Sequence, residues 1–459
     1  MSLAPHLDAL RRSFAGELIA PGDPAFAESR RVWNARFDRQ PSLVLRPSNA
    51  ADVATAIRFG RDRDLEIAVR SGGHSAAGHS ATDGGLVIDM SGMRGVTVDP
   101  GRRTARANGG ALLAELDTAA QAHGLVCPVG VIGHTGVAGL TLGGGVGRLQ
   151  RHFGLTIDSL RGVELVTADG RRIRASATEN PELFWGMRGA GPNFGIVTAF
   201  EFDLHAFGPD LNRGMRMYPA AQAQAAWSMV RDFATTAPDA VSAIMGIGRA
   251  EPAGEYPEAV AGGPIVLVAW NHSGSAADVE RDTAALRKGP EPVLETSGSQ
   301  PYLEVQTAND LVMGPGHRTA ISGGFTNDLG PASLDAFVEH VAGGPAGSSA
   351  SITVLGGAIG RVDDDDAAFT GRSARFDVSP DTEWEDPADD EVNEAWVSRA
   401  MAIIGPDLVT GRYGNELSEA GPAVTRAIYG EAKMTRLVAL KCAWDPDNVL
   451  RLNHNIAPA

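Results

Sequence analysis

Residues 70–75 read Arg-Ser-Gly-Gly-His-Ser, and residues 135–147 read Thr-Gly-Val-Ala-Gly-Leu-Thr-Leu-Gly-Gly-Gly-Val-Gly; these two stretches decide the fold. The first directly follows Leu65 to Arg70, which alternates as a strand, and precedes two further strand-like runs, Gly85 to Met90 and Gly95 to Asp99. Adjacent glycines let successive backbone N–H groups turn to one side, a nest suited to a pyrophosphate. The second stretch has too many glycines for a stable helix or central strand, so the expectation is a close approach of backbone to a ligand. A third cluster, Gly189-Ala190-Gly191-Pro192-Asn193-Phe194-Gly195, extends the pattern. Together they predict one long, phosphate-bearing ligand. No Gly-x-x-x-x-Gly-Lys-Ser/Thr is present, and no Gly-x-Gly-x-x-Gly stands between a strand and a helix, so P-loop and Rossmann readings fall.

Around these clusters the chain alternates short strands and helices, an α+β texture. Helical spacing marks Leu7 to Phe14, Glu28 to Ala35, Ala50 to Arg63 behind the cap Asn49, and Gly110 to His123 with Glu115 and Asp117 outward. Val163 to Thr167 and Arg172 to Ala175 read as strands about the turn Ala168-Asp169-Gly170. Gly208-Pro209 reads as a hinge, after which strands (Ile265 to Trp270, Ser351 to Gly356) mix with amphipathic helices (Ala220 to Thr235, Ser333 to Val341) in a second domain.

The 40 Lys and Arg against 56 Asp and Glu give a formal charge of −16, which argues against nucleic acid or an anionic membrane as partner. No apolar run reaches the ~18 residues a membrane span needs. The first residues lack a basic start feeding an apolar core, so a cytoplasmic protein without a secretory leader is expected. Cys127 and Cys442 are the only cysteines, too few for a disulfide framework. The Asp363 to Asp366 run reads as a solvated loop, and no metal site is expected.

The ordered motifs Val69 to His74, Thr135 to Gly147, Phe153 to Asp158, Asn180 to Trp185, Gly191 to Val197 and Asp445 to Asn455 resemble the berberine-bridge-enzyme branch of the vanillyl-alcohol-oxidase flavoproteins, whose FAD domain is of the PCMH type. The resemblance covers nearly the whole chain, and its bacterial members, such as 6-hydroxy-D-nicotine oxidase and polyketide-tailoring oxygenases, look most alike. It implies FAD, bonded covalently through His74, and it places Arg70, Ser71, Gly72, Gly73, Ser75, Gly78, His79, Thr135, Gly136, Gly139, Leu140, Gly143, Gly144, Gly145, Gly147, Asp158, Gly195, Ile196, Val197, Asn453 and Asn455 along the cofactor. An imidazole is a good nucleophile near neutral pH, which makes the His74 linkage chemically reasonable. A second bond through Cys127 is not expected, because the family's thiol position falls near Ile132.

Tyr413-Gly414-Asn415 matches the family's Tyr-x-Asn motif, so Tyr413 and Asn415 are the catalytic candidates, with the Tyr413 hydroxyl assisting proton removal. Gln306, Asp310, Ala320 and Ser322 are candidates for the pocket, and Ala320 and Ser322 suggest a wall less polar than in relatives. The expected architecture is a FAD-binding domain over residues 1–207, a substrate domain with a helix-covered antiparallel sheet over 208–410, and a returning segment over 411–459. The expected activity is oxidation of a carbon bearing a hydroxyl or amine, with dioxygen as acceptor and hydrogen peroxide as product. A flavin monooxygenase, a dehydrogenase of the same fold and a flavin-binding protein without turnover remain as alternatives.

Overall fold

The computed structural model describes residues 4–251 and 256–459. In its first layer Leu43–Arg46, Leu86–Asp89 and Ile67–Arg70 run parallel, with Glu17–Ile19 antiparallel at the edge. Parallel neighbours need a crossover, and helix Ala50–Arg61 supplies it between Leu43–Arg46 and Ile67–Arg70. The side chain of Asn49 accepts the N–H groups of Ala51 and Asp52 and so starts that helix. Val53 and Ile57 then pack on Leu43, Leu45, Leu86 and Ile88. Residues 71–75 leave from the carboxyl end of a parallel strand, the end where such sheets bind ligands.

A five-stranded antiparallel sheet follows, in the order Val96–Asp99, Thr104–Asn108, Ile196–Asp203, Leu160–Val166, Arg172–Ser176. Helices Leu113–Gln121, Pro181–Ala190 and Pro422–Trp444 share its core through Leu116, Phe184 and Leu437. The long C-terminal helix thus belongs spatially with the first half of the chain.

The third layer is an antiparallel sheet ordered Leu294–Pro301, Asp210–Pro219, Pro264–His272, Val241–Arg249, Ser348–Val354, Phe376–Trp384, Arg318–Ile321, with Gly324–Thr326 paired to Phe376–Trp384. Helices Ala223–Thr236, Pro331–Ala342 and Asp390–Ile404 cover one face, where Trp227, Phe337 and Trp396 meet Val268, Ile352 and Val378. Strand alternation sends Asp377, Ser379, Asp381 and Glu383 to the other face. Register sets Thr353, Ser351 and Ser349 opposite the first three, and Ile321 and Thr319 opposite Asp381 and Glu383. This helix-free face turns toward the first two layers: Asn34 accepts the Thr319 N–H at 3.1 Å, and Ser379 donates to Glu416 at 3.1 Å. No described helix is long and apolar enough to cross a membrane.

Three local expectations are corrected. The helix expected over Glu28 to Ala35 is only Phe26–Ser29, because residues 33–35 are drawn into tertiary bonds: Trp33 N–H to Gly73 O, Ala35 N–H to His317 O, and the Asn34 amide to Thr319 O. Asp117 points inward, 1% exposed, since a helix from much later in the chain, Tyr302–Thr307, covers that side. The glycine-dense stretch does contain a helix, Val137–Leu142, kept to six residues by the glycines at either end.

Candidate active site

That short helix is the floor of the site. It rises ~9 Å over its six residues. At its start Gly136 lies against Gly72, where a Cβ on Gly72 would stand 2.2 Å from the Gly136 nitrogen. At its end a Cβ on Gly143 would stand 2.1 Å from Asn415 Oδ1. Between them Gly139 is exposed and has nothing around it, so the middle of the helix presents a bare strip of backbone. Most of the other glycines approach protein. Gly144 meets Phe369, Gly145 meets Thr156, Gly147 meets the Val129 carbonyl, Gly189 meets the Phe369 backbone, Gly191 meets Leu142 and Gly195 meets Leu165. The clusters therefore lock loops together around a groove, and only part of them lines it.

At one end of the floor, His74 Nε2 lies 2.7 Å from His134 Nδ1, and His134 Nε2 lies 3.2 Å from the Asp310 carbonyl. A carbonyl only accepts, so His134 carries its proton on Nε2, its Nδ1 accepts, and His74 donates from Nε2. His74 Nδ1 is left with a lone pair and no hydrogen-bond partner among the described residues. Trp33 stacks on the ring, centroids 5.0 Å apart. Burial, and then His134, pull the His74 imidazole down to about 3, so it is neutral near pH 7.

At the other end, the Tyr413 hydroxyl accepts the Val146 N–H at 3.1 Å and the Asn415 amide at 3.0 Å, and Asn415 also donates to the Leu140 carbonyl. Burial pushes the Tyr413 phenol well above its ordinary value, and Glu416 adds to the shift. Nothing here activates it as a base.

Above this end stands the acidic face of the third sheet. Burial raises Asp381 to about 6, and burial together with Asp381 raises Glu416 to about 6. Asp377 is pushed up by burial and by Glu416, and its Oδ1 has no partner. Glu383 is raised as well, by burial. Ala320, by contrast, is buried beneath the helices on the opposite face, and Ser322 is bonded to Glu419 and Arg412. The pocket candidate Ala320 is thus corrected, since alternation places it on the helix-covered face, whereas Ser322, just past the strand, accepts from Ser379 through its carbonyl and adjoins a strongly polar wall.

The remaining candidates divide into struts and groove-lining groups. Arg70 is bound to Asp89 and the Arg31 carbonyl. Ser75 Oγ accepts the His79 N–H, Phe37 packs on Gly78, and Thr135 O accepts the Leu113 N–H. Gly73 takes a φ of +76°, the left-handed turn that aims His74. Asp158 is held by Arg372 at 2.6 Å. Ile196 and Val197 are buried in a central strand. Gln306 bridges Asp117 and Gly130 O, while Asp310 takes the Gly133 N–H at 2.6 Å and so serves the His134 end of the site, away from the acidic wall. Cys127 is wholly buried, and burial followed by Asp117 holds it as a thiol. His79 meets His454 edge-on at 5.1 Å.

Sequence reasoning passed over Trp33, which it set on a helix, and the carboxylates of strand Phe376–Trp384, whose period-2 spacing was the available signal. Among the described residues no group of three or more metal-ligating side chains occurs.

The donor set fits an FAD. Ser71 Oγ, Asn453 Oδ1, Asn455 Oδ1 and His454 Nδ1 are buried and unpaired. With the bare strip at Gly139 and the free nitrogen of His74, they form a long polar cradle with a nucleophile at one end.

Comparison with known proteins agrees. Residues 41–176 match a family model described as an FAD binding domain, and residues 412–457 match one described as berberine and berberine like. The chain is 32% identical to (R)-6-hydroxynicotine oxidase of Paenarthrobacter nicotinovorans over 97% of both proteins. The crystal structure of 6-hydroxy-D-nicotine oxidase from Arthrobacter nicotinovorans superposes with a TM-score of 0.86 at 30% identity, covering 97% of this chain and 99% of that one. Berberine-bridge-like 1 of Physcomitrella patens, at 23% identity and a TM-score of 0.87 over 98% and 97%, shares the fold.

Proposed function

The chain belongs to the berberine-bridge-like family of FAD-dependent oxidoreductases, and from that premise we propose that it is an oxidase of small amines whose flavin is carried covalently on His74. We take residues 1–207 with 411–459 as the FAD-binding part and 208–410 as the substrate part. When bound, FAD supplies the redox chemistry: it accepts a hydride from a carbon bearing an amine or hydroxyl and is reoxidised by dioxygen to give hydrogen peroxide. The observation that carries the reading is the floor helix Val137–Leu142, with a neutral imidazole nucleophile at one end and the Tyr413–Glu416 segment under an acidic sheet at the other.

The chain's own groups assign themselves to roles by their charge. Asp377, Asp381 and Glu416 form a buried acidic cluster that Arg412 offsets only in part, so the wall favours an ammonium over a neutral alcohol. Asp381 and Glu416, both near 6, are poised to take the proton an amine must lose before oxidation. Tyr413 stays protonated and orients the substrate as a hydrogen-bond donor; the base role suggested for it by sequence passes to the carboxylates. Asn415 ties Tyr413 to the floor through Leu140 O. The name of the nicotine-oxidising relative supports an amine.

The test is anaerobic mixing of the yellow protein with a matched panel of secondary amines and the corresponding alcohols. Bleaching by amines alone, followed by peroxide release in air, is the expected result. Bleaching only by alcohols or sugars would overturn the amine assignment.

A further inference from the structure

We propose that His134, held by the backbone carbonyl of Asp310, is the proton acceptor that lets His74 attach the flavin. The proposal rests on the reading that His74 is the linkage residue and assigns a positioning and proton-accepting role to a group in no contact with substrate.

The geometry is a three-member relay: His74 Nε2 to His134 Nδ1 at 2.7 Å, then His134 Nε2 to Asp310 O at 3.2 Å. Its direction is fixed by the acceptor-only carbonyl, so exactly one nitrogen of His74, Nδ1, keeps its lone pair. The rings are fixed as well. Trp33 stacks on His74 at an interplanar angle of 16°, His134 lies 4.7 Å from it centroid to centroid, and the Trp33 indole N–H is anchored on the Met313 carbonyl at 2.8 Å. The loop that supplies both carbonyls is pinned in turn by Asp310 Oδ1 on the Gly133 N–H and by the Gly316 N–H on Trp33 O.

Alkylating a neutral imidazole at Nδ1 leaves a positive ring unless the Nε2 proton departs. His134 Nδ1 is the acceptor within reach, and the positive charge moves with the proton onto His134, where the Asp310 carbonyl on Nε2 stabilises it. The step balances as follows. A C–H bond of the flavin 8-methyl group breaks and releases a proton, and a bond forms between that carbon and His74 Nδ1. The Nε2 proton of His74 passes to His134, and the two electrons of the broken C–H bond enter the flavin. Dioxygen takes up those two electrons with two protons, giving hydrogen peroxide and the oxidised, linked cofactor.

The experiment follows attachment itself. Wild type, His134→Gln and His134→Ala are prepared without flavin and mixed with FAD in air. Covalent flavin is read over time by acid precipitation and peptide mass mapping, and bound but acid-soluble FAD by its absorbance. The expected result is full attachment to the His74 peptide through Nδ1 in wild type. Both variants should bind FAD yet attach it at least ~100-fold more slowly, the range of a lost general base. Gln keeps an acceptor for the His74 N–H but cannot take its proton, so slow attachment in His134→Gln with FAD still bound isolates proton acceptance from folding. Attachment at the wild-type rate in His134→Gln, or a linkage through Nε2, overturns the proposal. A wild type that releases all its FAD into acid supernatant would instead sink the His74 reading beneath it.

Discussion

Arg372 and Asp158 form a two-pronged ion pair, 2.6 and 3.1 Å, that stitches the third sheet's side of the molecule to the segment following the glycine floor. The Arg372 side chain is 1% exposed and that of Asp158 is 9% exposed. Asp158 also accepts the Leu155 N–H, so it holds the turn that presents Thr156 to Gly145. Removing one partner strands a buried charge. Arg372→Met is expected to destabilise by about 3–5 kcal/mol, with Arg372→Met/Asp158→Asn recovering part of the loss; urea melts of the three chains check this. A loss confined to FAD content would mean that Asp158 serves the cofactor directly.

Gly139 separates groove from scaffold. Replacing it with Ala adds helix propensity worth about 1 kcal/mol and meets no protein atom, so the flavin-free fold gains stability. Gly139→Leu should keep that melting temperature while losing most bound FAD, as measured by the flavin-to-protein absorbance ratio. Gly147→Ala, whose Cβ would lie 1.8 Å from Val129 O, should not fold at all.

On the proposed amine-oxidase reading, the carboxylates should set the acid limb of the rate. With Asp381 and Glu416 raised to about 6, kcat/KM for an amine should climb as pH rises through about 6, reported as a property of the interacting pair. Glu416→Gln should lower the rate by about 10²-fold or more and flatten that limb. An unchanged profile would remove the carboxylates from the chemistry.

The same groups shape stability without flavin. Their ordinary values are 3.8 and 4.5 and their folded values about 6, so between those limits the folded chain holds protons that the unfolded chain has released. Stability from these groups therefore falls as pH rises from about 4 to about 6. Asp381→Asn should shrink that decline; melting temperatures across this range in wild type and variant measure it.

Tyr413→Phe leaves the Val146 N–H and one Asn415 proton without their acceptor. A cost of about 1–3 kcal/mol and a lower kcat with the pH profile unmoved are expected. A shifted profile would return the phenol to the role of base.

How much of this was legible depends on how local the determining physics is. The strand–Gly-Gly-His junction, the Asn49 cap and the helix behind it are set by neighbours in sequence, and the structure has them where the residues indicate. The glycines announced close approach but not to what, since a missing Cβ looks the same whether ligand or loop fills its place; Gly147 against Val129 O and Gly139 against open space are both simply Gly. Trp33 was unreadable as a site residue because its helical spacing is overridden by bonds from Gly73 and His317, far away in the chain. The acidic wall was written in the sequence as Asp377, Asp381 and Glu383 at even spacing. It stayed hidden because only the register with Ile321 and Ser349 shows which face is covered by helices. His134 was visible as a histidine beside the loop, but its partner Asp310 lies 176 residues further along the chain.

That last dependence orders events in the cell. His74 and His134 leave the ribosome early, yet the Asp310 carbonyl that orients them follows 236 and 176 residues later, and Asn453 to Asn455 come later still. If His74 is the linkage residue as proposed, permanent yellow colour would then report completed assembly, because the groups that orient His74 come together only in the folded chain.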